Sequence, residues 1–202
     1  DLKKLTDSKD LPAEGRPYVM NAWLGESVVL RGGTGTVYLL RVGDGLVKPL
    51  FETTLTKASF VESPDGTLLA HVDYDSNNHK QTLKIITPDG KTLRDLATFA
   101  SGSVMGLVWS LDGAQLGFIH TTESASTVYV IDSDGRNLRQ VYISATDIHF
   151  VFSPAGDYLL IQTIDGTGEH LYAIHLETFK PNLVQVPGIP LNESWMWPTW
   201  TK

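Results

Sequence analysis

Apolar and polar positions along the chain fall into short runs separated by turn-forming residues, the pattern of strands rather than helices. Leu68-Leu69-Ala70-His71-Val72, Leu116-Gly117-Phe118-Ile119 and Tyr158-Leu159-Leu160-Ile161 each follow a turn signal and suit a pleated, buried surface. A second set of strands follows polar loops: Thr36-Val37-Tyr38-Leu39-Leu40, Thr82-Leu83-Lys84-Ile85-Ile86, Thr127-Val128-Tyr129-Val130-Ile131 and His170-Leu171-Tyr172-Ala173-Ile174. Each of these runs into a tight turn, at Gly43-Asp44-Gly45, Pro88-Asp89-Gly90, Ser133-Asp134-Gly135 or the less regular Glu177-Thr178-Phe179-Lys180. An outer strand such as Lys91-Thr92-Leu93-Arg94-Asp95-Leu96 then closes the unit. No segment sustains a helical period with a cap at each end, so no long helix is expected.

The unit recurs. Its clearest copies begin Phe60-Val61-Glu62-Ser63-Pro64-Asp65-Gly66, Val108-Trp109-Ser110-Leu111-Asp112-Gly113 and Val151-Phe152-Ser153-Pro154-Ala155-Gly156, with a shortened copy at Ala22-Trp23-Leu24-Gly25 and a truncated one at Pro198-Thr199-Trp200-Thr201. The spacing of roughly 40 to 50 residues is that of one four-stranded propeller blade. This predicts an all-β fold, a β-propeller of four-stranded antiparallel blades, with four complete blades plus partial strands at both ends. As a single domain or segment over 1–202, it places blades near 16–52, 58–98, 104–144 and 147–187, an outer strand at 1–7 and an inner strand at 194–202. Trp23, Phe60, Trp109 and Phe152 are expected to be equivalent and buried between neighbouring sheets, with turns at Asp65-Gly66, Asp89-Gly90, Asp112-Gly113 and Asp134-Gly135.

At these residues the chain resembles the TolB-like β-propellers, whose WD-like repeats are marked by Ser-Pro-Asp-Gly followed by an apolar strand. Leu2-Lys3-Lys4-Leu5-Thr6 resembles the end of an outermost strand, and Trp197-Pro198-Thr199-Trp200 an innermost strand opening a further blade. The resemblance covers nearly the whole chain and is specific for fold rather than function. It implies a periplasmic or extracellular, bacterial-envelope location and a non-catalytic module that binds protein or cell-envelope components. The alternatives are the substrate-gating propeller of a larger serine peptidase, or a glycan-binding propeller. Pairing of the two ends leaves a fifth blade without its middle strands. A missing segment, a partner chain or closure with about four blades completes the ring. Beginning at Asp1 without a basic-then-apolar leader, the chain reads as a processed or trimmed form.

Composition narrows the function classes. Apolar residues make up 42% and charged residues 19%, an ordinary balance for a folded, soluble chain, and no run is long enough to span a membrane. With 23 acidic and 16 basic residues the net charge is -7, which opposes binding to a phosphate backbone, so no nucleic-acid partner is expected. The absence of cysteine removes disulfides, thiolate metal sites and a cysteine nucleophile. Gly90-Lys91-Thr92 matches the end of a P-loop, but Ile85 stands where its first glycine belongs. Gly32-Gly33-Thr34-Gly35 joins two strands, and Gly102-Ser103-Val104-Met105-Gly106 has its serine in the wrong place for a nucleophile elbow. No catalytic residue and no cofactor is therefore assigned.

The remaining candidates lie on loops. Asp73, Asp75 and Asn77 alternate like the opening of a calcium loop, yet Lys84 occupies the position of the closing glutamate, as Ile143 does for the similar Asp132-Ser133-Asp134 start. The reading is turn chemistry, with no metal site. His71 aligns with Phe118 and Ile161 and is expected to be a hydrogen-bonded core histidine. The loops between second and third strands share one face with the connections between blades, and this face gathers Asp73, Tyr74, Asp75, Asn77, His79, Glu123, Asp165, Glu169, Asp147, His149, Trp195 and Trp197. Loops on a rigid scaffold are where binding concentrates. The partner-binding residues expected are Tyr74, Asp75, His79, His149, Trp195 and Trp197, with a protein partner.

Overall fold

The computed structural model describes residues 11–13, 18–52, 60–87 and 89–184. They form sixteen strands in four four-stranded antiparallel sheets, each ordered as its strands follow in the chain. Sheet one contains β1 (Tyr18–Leu24), β2 (Ser27–Gly32), β3 (Thr36–Arg41) and β4 (Val47–Glu52). Sheet two contains β5 (Phe60–Glu62), β6 (Leu69–Asp75), β7 (Lys80–Ile86) and β8 (Thr92–Phe99). Sheet three contains β9 (Ser103–Trp109), β10 (Gln115–Thr121), β11 (Ser126–Asp132) and β12 (Arg139–Ser144). Sheet four contains β13 (Ile148–Phe152), β14 (Tyr158–Asp165), β15 (Gly168–His175) and β16 (Pro181–Leu183). The chain divides into two compact units, Asp1–Ala100 and Ser101–Lys202.

In the first unit, sheet one is buried on both faces, so its middle strands are apolar at nearly every position. Val29 and Val37 face sheet two and pack with Leu24 and Leu69, flanked by Leu50, Phe51 and Phe60. Val28 lies opposite Leu40 and Leu30 opposite Tyr38, and these four pack on the other face beneath Leu11. Tyr18 meets Tyr38 edge-on at 5.6 Å and donates its hydroxyl to the Pro12 carbonyl at 2.6 Å. In the second unit, Ile119, Val128, Val130 and Val141 of sheet three pack with Phe150, Phe152, Leu159, Ile161 and Ile174 of sheet four. Gly117 of sheet three lies under the Phe150 and Phe152 rings, so close that a Cβ there would sit 2.5 Å from Phe150 Cε2.

The Ser-x-Asp repeat has a physical reason. Ser63, Ser110 and Ser153 are buried, and the Oγ of each accepts the backbone amide five residues on: Leu68 at 2.9 Å, Gln115 at 2.9 Å and Tyr158 at 3.0 Å. The same hydroxyls donate to Asp65 and Asp112 at 2.6 Å and to Asp157 at 2.7 Å. The hydroxyl thus closes the turn as a backbone group would, and its acceptor is an aspartate. In sheet four Ala155 stands where the aspartate is expected, and Asp157 makes the bond from two residues further on. Gly66 and Gly113 occupy these turns with φ of 70°, a conformation open to glycine at little steric cost.

Two expectations about the aromatics are corrected. Trp109 pairs with Leu116 and Phe152 with Leu159, but the residue paired with Leu69 is Glu62, whereas Phe60 lies opposite His71 as Phe150 lies opposite Ile161. Phe60 is therefore the counterpart of Phe150. Trp109 and Phe152 are buried and Phe60 is half-buried, but Trp23 is 51% exposed. Trp23 pairs with Val28, on the face of sheet one that packs beneath Leu11 rather than against sheet two. The strands expected at 1–7 and 194–202 lie outside the described residues.

Candidate functional site

In an antiparallel meander the first and third turns lie at one end of the sheet and the middle hairpin at the other. The Ser-Asp turns therefore occupy one end, and the β6–β7 hairpin, residues 75–80, projects from the opposite end of sheet two. Asp75 organises it: Oδ1 accepts the amides of Asn77 at 2.9 Å and Asn78 at 3.2 Å, and Oδ2 accepts the Asn78 side-chain amide at 2.7 Å. These bonds, that from the Asn78 side chain foremost, hold its carboxyl below the usual range. The chain turns back through His79, a non-glycine residue at φ 54°. That conformation brings His79 Nδ1 to 3.0 Å from the Tyr74 hydroxyl, with the rings 6.5 Å apart. Tyr74 is half-buried at the base, whereas Asp75 and His79 are exposed.

The structure thus brings three of the expected residues, Tyr74, Asp75 and His79, into one rigid hairpin of the first unit. His149 lies in the second unit, half-buried on β13 opposite Gln162, a strand residue rather than a loop residue. Trp195 and Trp197 lie outside the described residues. The Asp73 carboxylate points to Lys84, whose ammonium is 2.9 Å away, while Asp75 is committed to the turn. Asp73, Asp75 and Asn77 therefore do not converge as cation ligands. Among the described residues no cluster of His, Asp and Glu is placed to hold a metal ion.

A second polar group occupies the corresponding hairpin of sheet four. Asp165 Oδ1 accepts the Thr167 amide at 2.7 Å and its hydroxyl at 2.6 Å, and His170 Nε2 lies 3.2 Å from that oxygen and 2.9 Å from Thr167 Oγ1. Next to it Tyr172 meets Tyr142 at 5.3 Å. Burial, followed by the bond to Tyr172, pushes the Tyr142 hydroxyl above its ordinary pKa. The residue types suggest a nucleophile relay, but the geometry does not support one. A relay uses the two ring nitrogens separately, one toward the hydroxyl and the other toward the carboxylate. Here both partners meet Nε2, and the hydroxyl gives its hydrogen straight to Asp165. In the sequence His170 stands as the first residue of an apolar strand, and its approach to Asp165 depends on a two-residue turn between Asp165 and Gly168.

Repeated four-stranded meanders of this kind define the class: the chain has the fold of β-propeller blades. Solved structures similar to it are TolB and other propellers. TolB from Acinetobacter baumannii matches with a TM-score of 0.55 and 14% identity over 89% of this chain and 44% of that one. The β-propeller domain of the Trilobed protease from Pyrococcus furiosus matches with a TM-score of 0.62 and 12% identity, over 84% and 57%. Acylaminoacyl peptidase from Pyrococcus horikoshii matches with a TM-score of 0.64 and 13% identity, over 86% and 33%. The chain covers less than two thirds of the length of each, and at these identities the likeness is one of fold. No protein-family model matches the sequence, and no curated protein does. Among the described residues no helix is long and apolar enough to cross a membrane.

Proposed function

We propose that the chain is a non-catalytic propeller module that holds a protein or cell-envelope component through the loop face, with Tyr74, Asp75 and His79 as contacts and His149, Trp195 and Trp197 engaging the same partner. The observation that carries this reading is the β6–β7 hairpin. A half-buried tyrosine and the exposed imidazole it touches are fixed in advance by an Asx turn and a left-handed residue. Contacts held rigid before binding lose little entropy on association, and a few aromatic anchors dominate most interfaces. The net charge of -7 favours a basic partner surface, with faster association at low salt. An envelope location accompanies this reading.

The test is recovery of partners from an envelope extract by the parent chain and by a Tyr74→Ala/Trp195→Ala variant shown to be folded. Loss of the parent's partners by the variant supports the loop face, and equal recovery refutes it. A second reading, a gating propeller of a larger serine peptidase, is favoured by the likeness to the two peptidase propellers. A Gly-x-Ser-x-Gly motif in the parent gene outside these residues would establish it in place of the first.

A further inference from the structure

The seam between the two sheets of the first unit carries a titratable ring where sheets three and four carry hydrocarbon. His71 on β6 is 2% exposed. Its ring stacks on Phe51 of β4 at 4.5 Å and 27°, and on Phe60 of β5 at 5.6 Å and 14°. Its Nδ1 is buried without a well-formed hydrogen bond, so the expected hydrogen-bonded core histidine is instead held chiefly by stacking, with a minor backbone interaction at Val72. Its counterparts, two residues beyond Leu116 and Leu159 as His71 is beyond Leu69, are Phe118 and Ile161, both fully buried. The position therefore packs without a polar atom, and the fold does not require histidine there.

We infer that His71 makes this seam an acid-operated joint: a proton on its ring parts β4 from β5 and β6 and exposes Leu50, Phe51 and Phe60, while the ladders within each sheet persist. Closed, the seam offers an imidazolium two phenyl faces and no well-formed acceptor at Nδ1, and the Val72 backbone favours the cation by less than burial opposes it. Cation-π attraction offsets only part of that desolvation. The charged groups around it do not rescue the cation. Lys84, directly opposite His71 on β7, opposes it, and Asp73, which favours it, is already paired with Lys84 at 2.9 Å. Asp95 lies 4.0 Å from the same ammonium, Glu62 on β5 accepts the Gly25 amide at 3.2 Å, and Lys48 and Glu52 on β4 are exposed. Burial pushes the His71 pKa from 6.5 down to about 4. Because the closed state refuses the proton that the open state accepts, closure is complete above 6.5 and weakens as pH falls.

Amide exchange of the full chain, followed residue by residue from pH 7 to 4 and corrected for intrinsic rates, tests this. Opening of β4 to β6 should rise by up to tenfold per pH unit below 6.5, about 150-fold in all by pH 4, while β10 and β11 stay protected. His71→Phe and His71→Ile, which install the residues found at the counterpart positions, should remove the dependence. A parent whose seam protection is flat, variants that keep the same slope, or equal loosening of all four sheets overturns the joint. If neither variant folds, proton magnetic resonance titration of the His71 ring in the parent decides: a pKa at or above 6.5 overturns the proposal.

Discussion

Replacing Gly117 with alanine tests whether the sheets of the second unit meet as closely as described. The new Cβ would lie 2.5 Å from Phe150 Cε2, 2.9 Å from Phe150 Cζ and 3.1 Å from Phe152 Cε2. An ordinary carbon contact of about 3.5 Å requires the Phe150 ring to retreat by about 1 Å. Both rings are buried and pack edge-on to each other at 6.5 Å, so neither is a loose chain end that swings aside. Overpacking of a filled core costs about 1 to 3 kcal/mol. Against this, alanine restricts the unfolded chain and returns about 0.4 to 1 kcal/mol. The net expectation is a loss of about 1 to 2 kcal/mol, a melting point lower by about 2 to 8 °C for a chain of this size. Urea unfolding followed by aromatic fluorescence measures it, and Phe150→Leu in the same chain should recover part of the loss as a coupling of at least about 0.5 kcal/mol. A Gly117→Ala protein as stable as the parent, with an unchanged denaturant slope, refutes the close packing.

Phe152→Ala should destabilise the chain by about 3 to 5 kcal/mol, whereas Trp23→Ala, at a half-exposed site, should shift the urea midpoint little. Ser110→Ala removes the hydroxyl that serves Gln115 N and Asp112, and calorimetry should show a loss of about 1 to 3 kcal/mol; an unchanged melting point would mean that the turn stands without it. Asp44, Asp89 and Asp165 are held near a pKa of about 2 by their turn partners, chiefly Arg41, Thr87 and Thr167, so their contribution is full above 3.8 and lost as pH falls toward 2. Asp165→Asn should flatten the acid-induced loss of stability in that window, and an unaltered curve would mean that its bonds do not persist in solution.

The features legible in the sequence were those decided locally. The Ser-Asp turns, the hairpin at Asp75-Ser76-Asn77 and the strands between them follow from side chains bonding to a backbone a few residues away. The register of the aromatics was not legible, because Phe60 and Glu62 are two residues apart and share a face, so alternation fits either one as the counterpart of Trp109. The exposure of Trp23 depends on which element covers sheet one, and no strand pattern contains that information. At the loop face the polar run announced Tyr74, Asp75 and His79. Their contact, however, rests on His79 taking a left-handed conformation that no nearby residue demands.

The bond in sheet four that Asp157 makes in place of the missing Asp at position 155 has a consequence for how such blades drift apart. Two positions on the same turn can deliver a carboxylate to one buried hydroxyl, so what each copy preserves is a joint rather than a letter. A blade can lack the aspartate of its signature, as this one does, and remain the same mechanical part. Copies of one unit can then differ in spelling while keeping one shape, and a comparison that reads only spelling misses a joint that both copies make.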